Sequence, residues 1–92
     1  MVINVTNAPA GVVLARKSPA RSRIILQNTG IHPALIRIDA APTVIAFDHV
    51  LTAGTALRSG DGGCLILEGN HGEIKAVTEN AAGTTVAVLE VY

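Results

Sequence analysis

"SRIILQNTGIHPALIRID", residues 22 to 39, holds two short runs rich in Ile and Leu on either side of a turn. In "ALIRID" (34–39) Ala34, Ile36 and Ile38 share one face while Leu35, Arg37 and Asp39 share the other. That period of two is expected of a half-buried strand, not of a helix. The intervening "NTGIHP" (28–33) supplies Asn, Gly and Pro where the backbone reverses.

The same rhythm recurs outward in both directions. "VINVT" (2–6), "GVVLAR" (11–16), "SRIILQN" (22–28), "CLILE" (64–68), "EIKAVTE" (73–79) and "TTVAVLEVY" (84–92) read as further strands, with turns at "EGNHGE" and "ENAAGT". Helical spacing is nowhere sustained, and the steps of roughly ten residues indicate an all-β sandwich or barrel. In the last strand Val86 and Val88 alternate with Ala87 and Leu89, so both faces are apolar. Such a strand is central in a sheet or lies at an interface. Residues 40–63 are the least regular part, readable as short strands around Val44–Phe47 and Thr55–Arg58 or as an elaborated loop. Long loops in small domains often carry partner contacts.

Ninety-two residues support one hydrophobic core and so one domain, 1–92, in which residues 1–20 are either an arm reaching a neighbour or the first two strands. Hydrophobic residues make up 49% of the chain, but Phe47 and Tyr92 are its only aromatics, so the core is thin. Self-association or docking on a larger body would relieve that shortage. One cysteine excludes an intrachain disulfide and suits assembly in a reducing cytoplasm. The N-terminus has no signal-peptide pattern, and the longest apolar runs are far below the ~20 residues that span a bilayer, so no membrane role is expected.

Net charge is zero, yet residues 1–38 carry Arg16, Lys17, Arg21, Arg23 and Arg37 with no acid, while 39–92 carry seven acids against Arg58 and Lys75. Either the halves interleave and cancel locally, or one face is basic and another acidic, an arrangement suited to subunit docking. "RKSPARSR" (16–23) is the one basic cluster: a contact for an acidic protein surface or phosphates, or a solvated loop. Without aromatics to stack on bases, direct nucleic-acid binding is not expected.

"GDGGCLILEGNHGEIKAV" (60–77) invites reading as an active site, since it contains Cys64, His71 and three carboxylates. A nucleophilic cysteine needs its base within ~3 Å. If "CLILE" and "EIKAV" form a hairpin across "GNHG", Glu68 faces Glu73, Ile66 faces Lys75 and Cys64 faces Val77. Cys64 then lies about 13 Å from the hairpin mouth, with His71 beyond it. If the strands belong to opposite sheets, the separation along "CLILE" remains. Cys64 therefore reads as a small buried apolar residue. His32, His49 and His71 fall in three loops without metal-ligand spacing, and no carboxylates pair as acid and base. "GDGG" lacks the Lys-Ser/Thr and helix of a phosphate loop. No catalytic, cofactor or metal site is expected.

From "SRIILQNTGIHPALIRID" through "LTAGTALRSGDGGCLILEG" to "GEIKAVTENAAGTTVAVLEVY", the chain resembles small all-β virion proteins of tailed bacteriophages, among them head decoration (cement) proteins and fibre modules. The likeness covers about residues 22–91 and rests on a rhythm of strands and turns. "DAAPTVIAFDHV" (39–50) is longer than the corresponding connection. The resemblance implies a small antiparallel β-sandwich, jelly-roll-like, with about seven or eight strands. It implies a non-enzymatic protein made in the host cytoplasm and carried on the virion surface, binding the major capsid protein, with a trimer favoured as its homo-oligomer. The contact residues expected from charge clustering and the irregular segment are Arg16, Lys17, Arg21 and Arg23, with Phe47, Asp48 and His49. The alternative function is a carbohydrate-binding or host-adhesion module, which the scarcity of aromatics disfavours.

Overall fold

The computed structural model of the chain describes residues 1–43, 46–69 and 72–92. Eight strands follow one another: β1 (Val2–Val5), β2 (Val12–Ala15), β3 (Arg23–Asn28), β4 (Ala34–Ile38), β5 (His49–Leu51), β6 (Cys64–Glu68), β7 (Ile74–Val77) and β8 (Thr84–Val91). They form two four-stranded sheets, ordered β1-β8-β3-β6 (sheet A) and β2-β7-β4-β5 (sheet B), with every pairing antiparallel. β1 pairs with β8, β2 with β7, β3 with β6 and β4 with β5, so the chain is one long hairpin of two four-strand arms rolled into a sandwich. That winding is the jelly roll. Residues 1–20 supply the first two strands, built into opposite sheets.

The core lies between the sheets. Val5, Ile24, Leu26, Ile36, Leu51, Ile74 and Val86 are fully buried within it. Their spacing of two along β3, β4 and β8 puts every second side chain inward. In β4 the inward set is Ala34, Ile36 and Ile38, as the alternation predicts, but Leu35 is buried as well. The chain after β4 covers part of the outer side of sheet B: Pro42 is fully buried beside Val77, and Arg37 Nη1 donates to the Ala41 carbonyl at 3.5 Å, while Val50 stays exposed. Asp39 makes that departure at φ 61°, a left-handed conformation that Asp tolerates. It also ties the end of β4 to the start of β7, donating to the Glu73 carbonyl at 2.7 Å and accepting from the Glu73 amide at 3.0 Å.

Two expectations are corrected. β6 and β7 do not form a hairpin: β6 pairs with β3 in sheet A, while β7 sits between β2 and β4 in sheet B. A hairpin would oppose Glu68 and Glu73, whereas the crossover gives each a cation, Arg23 at 2.7 Å and Lys75 at 3.6 Å. His49 does not lie in a loop; it opens β5 opposite Ile36 and is half-buried. Of the two readings open for residues 40–63, the loop is the one found over Thr55–Arg58, which is turn structure; beside it an isolated bridge joins Thr43 and Ala46, with Val44 and Ile45 outside the described residues.

Two polar clamps hold the ends of the sandwich, one at each end of β3. At the first, the Arg21 side chain, 0% exposed, donates to the Arg16 carbonyl (3.0 Å), to Glu90 Oε1 (3.1 Å) and to the Gly72 carbonyl (2.7 Å). It thereby joins the β2–β3 connection, β8 and the β6–β7 crossover. At the second, Asn28 Nδ2 donates to the carbonyls of His32 (2.8 Å) and Leu51 (3.0 Å), and its Oδ1 accepts from the Gly30 amide and the Thr84 hydroxyl. Asn28 so binds β3 of one sheet to β5 of the other. "GDGG" passes close by: a Cβ at Gly62 would stand 1.9 Å from the Asn28 carbonyl oxygen, so glycine is required for that approach.

Candidate interaction surface

Sheet A leaves its outer side open. Alternation turns Val2, Asn4, Arg23, Ile25, Gln27, Cys64, Ile66, Glu68, Thr85, Ala87, Leu89 and Val91 away from the core. The registers set these side chains in rows across the strands: Leu89, Ile25 and Ile66 in one, and Val2, Ala87, Gln27 and Cys64 in the next. Leu89 is 57% exposed and Ile66 56%, with Val2 and Val91 also exposed. The two ends of the strands are polar. Arg23 and Glu68 pair at one, and the Thr29 and Thr85 hydroxyls bond at 2.8 Å at the other. Between them an exposed apolar band runs across the sheet to its edges, a patch of the kind that marks a protein–protein contact.

The residues expected from the sequence do not gather into one site. Arg16 and Lys17, just beyond β2, are exposed and line an open depression of about 590 Å³ with Ile3, Leu14 and Val88. Arg21 lies beneath them, buried and internally bonded, and leaves the contact set: its fork of N–H groups serves the fold. Glu90, its acidic partner, also accepts from the Tyr92 hydroxyl at 2.7 Å, which raises the phenol above its ordinary pKa. Arg23 stands on the outer side of sheet A. Phe47 is 40% exposed beside Asp48, whose amide donates to the Ile36 carbonyl at 2.7 Å and whose Oδ2 accepts from the Ile38 amide at 2.9 Å. Asp48 thus finishes the β4 edge, far from an unconstrained loop residue. Of the three ion pairs among the described residues, Arg21–Glu90 and Arg23–Glu68 join the basic half of the chain to the acidic half.

Cys64 corrects another expectation. It is exposed, because β6 is an edge strand of sheet A whose odd positions, Leu65 and Leu67, turn inward and whose even positions turn out. His71 lies outside the described residues. Among those described, no three His, Cys, Asp or Glu side chains stand close enough together to hold a metal ion. No helix is long and apolar enough to cross a membrane.

The connection between β5 and β6 holds a carboxylate tied into its own loop. Asp61 accepts from the Ser59 hydroxyl, the Thr55 hydroxyl (2.7 Å) and the Thr55 amide (3.0 Å), which lower its pKa from 3.8 to about 2. These bonds favour the charged form, so the loop closure they provide is complete above pH 3.8 and is lost as pH falls through about 2. The Thr55 amide resonance is expected to titrate with a midpoint near 2 in NMR spectra, and a midpoint near 3.8 would show that the loop does not close on Asp61 in solution.

The chain matches no family model, no curated protein and no solved structure.

Proposed function

We propose that this chain is a virion structural protein, a head decoration protein that binds the major capsid protein on the outer surface of a phage head. The observation that supports this reading is the open outer side of sheet A, centred on Ile25, Ile66 and Leu89. A domain with so thin a core gains by covering such a surface, and a lattice offers the same partner many times. Individually weak contacts then sum through valency, as stabilising a shell requires. The exposed pair Arg16 and Lys17 supplies a second contact, to acidic groups between capsid subunits, and Phe47, exposed on the segment before β5, a separate apolar one. The protein works as a homo-oligomer without catalysis or a cofactor.

Co-sedimentation with capsids lacking this protein tests the reading. The wild-type chain is expected to pellet with the heads and Leu89→Glu to bind at least tenfold more weakly, while its thermal unfolding moves little because position 89 is exposed. Arg16→Glu/Lys17→Glu reports separately on the basic pair. Undiminished binding by Leu89→Glu would remove sheet A from the contact. Binding to a glycan array, with none to capsids, would place the chain among adhesion modules.

A further inference from the structure

We infer that the open edge of β6 pairs with β6 of a second copy, antiparallel, about a two-fold axis passing through Ile66. The inference goes beyond the decoration reading and does not depend on it, since its readout needs no capsid.

The direction of the backbone groups follows from two hydrogen bonds. The Gly69 amide donates to the Ser22 carbonyl at 2.8 Å, and the Asn28 amide donates to the Gly63 carbonyl at 2.9 Å. Odd positions of β6 therefore turn their N–H and C=O groups toward β3, and those of Cys64, Ile66 and Glu68 turn outward. Among the described strands β6 pairs with β3 alone and ends the order of sheet A, so this row of donors and acceptors lies at the sheet edge. Such an edge invites a strand unless a charge, a proline or a bulge blocks it. β6 has five regular residues with no proline and no bulge, and its single charge is neutralised by Arg23 on the next strand. The edges of sheet B differ: β2 carries a register shift between Val13 and Ala15, and β5 has three residues.

A second copy fits this edge because "CLILE" is self-complementary in the register that pairs all five of its residues with outward groups matched. Antiparallel pairing about Ile66 sets Ile66 opposite Ile66 and Cys64 opposite Glu68, each pair having outward donors and acceptors on both sides. No carboxylate faces a carboxylate, and each Glu68 keeps its Arg23. The rows of the two sheets then join: Leu89, Ile25 and Ile66 of one copy continue into Ile66, Ile25 and Leu89 of the other. Eight strands form one continuous sheet with an uninterrupted apolar band on its outer side.

Size sets the strength. Five residues at ~3.4 Å each, against a shortest molecular extent of 17 Å, give an edge of about 290 Å² per copy, well below the ~800 Å² of a standard interface. An interface this small makes a dimer that is weak in isolation. Two copies held side by side on one surface would pair more completely.

Analytical ultracentrifugation across concentrations up to about 1 mM is expected to show a monomer–dimer equilibrium. Ile66→Lys should weaken it at least tenfold without shifting the unfolding transition, since Ile66 is exposed. A second measurement uses cross-linking. Opposed residues of a hydrogen-bonded pair stand ~5.5 Å apart at Cα, within the reach of a disulfide. Ile66→Cys in a Cys64→Ser background should therefore oxidise to a covalent dimer at concentrations where Leu89→Cys in the same background does not. A monomer throughout, a dimer indifferent to Ile66→Lys, or a mass of three copies would each overturn the pairing; three copies would match the trimer implied by the phage resemblance.

Discussion

Arg21→Met is expected to cost about 3 kcal/mol of folding stability, although it removes a charge from a cluster that the sequence presents as a solvated basic loop. The substitution keeps the apolar bulk but deletes the guanidinium that Arg16, Gly72 and Glu90 share. Two carbonyls lose their donor, and Glu90 keeps a charge with its cation gone. Breaking a buried ion pair by removing one partner costs about 3–5 kcal/mol, and the lower end applies because the Glu90 side chain is 28% exposed and water can reach it. A domain of this size is stable by roughly 5–14 kcal/mol, so the loss is a large fraction of the total. At about 4–8 °C per kcal/mol, the melting temperature should fall by roughly 12–24 °C. Arg23→Met is the contrasting case. Its ion pair with Glu68 is exposed on both sides, and the change should stay within about 1 kcal/mol. Thermal unfolding of the two variants side by side decides whether the cluster is one solvated patch or, as the geometry has it, one buried clamp among surface cations.

Asn28→Ala should be comparably severe, at about 2–4 kcal/mol. The side chain uses all of its hydrogen-bonding capacity that matters here: two donors to carbonyls of His32 and Leu51, and one oxygen accepting from Gly30 and Thr84. Truncation strands those partners where water has little access, since Asn28 is 1% exposed. Asn28→Asp should do worse at neutral pH, because a carboxylate oxygen would replace the amide group and face two carbonyl oxygens. Urea unfolding reads both effects as a lower midpoint at unchanged slope. Gln27→Ala, one residue earlier but on the outer side of sheet A, should leave the midpoint nearly unmoved.

These two residues also mark where sequence reasoning reached and where it stopped. Strand positions were legible because the spacing of Ala34, Ile36 and Ile38, or of Val86 and Val88, is a local property of the chain. Seven of the eight strands fall where alternation and turn residues put them. The three-residue β5 does not, since "HVL" is too short to show a period and exists by pairing with Ala34–Ile36. The apolar outer row of β8 was visible as a strand with two apolar faces, and the fold shows it to be both central in its sheet and exposed on one side. Its partners in that surface, Ile25 and Ile66, were not recognisable. Which strand lies beside which is a matter of chain path: a hairpin across "GNHG" would set Ile66 against Lys75, whereas the crossover sets it against Ile25.

The all-β class, the bounds of seven strands to within a residue or two, and the division of most side chains into two faces follow from local pattern, because alternation is enforced by backbone geometry within each strand. That β6 crosses to pair with β3, that Cys64 is exposed, and that Arg21 is buried while Arg16, Lys17 and Arg23 are not, all come from how the chain closes on itself. Each of those outcomes depends on residues roughly forty to seventy positions apart meeting in the rolled hairpin. Pattern within a strand carries no information about that closure. It is settled by which arrangement lets the core fill, the like charges separate and the buried polar groups find partners together.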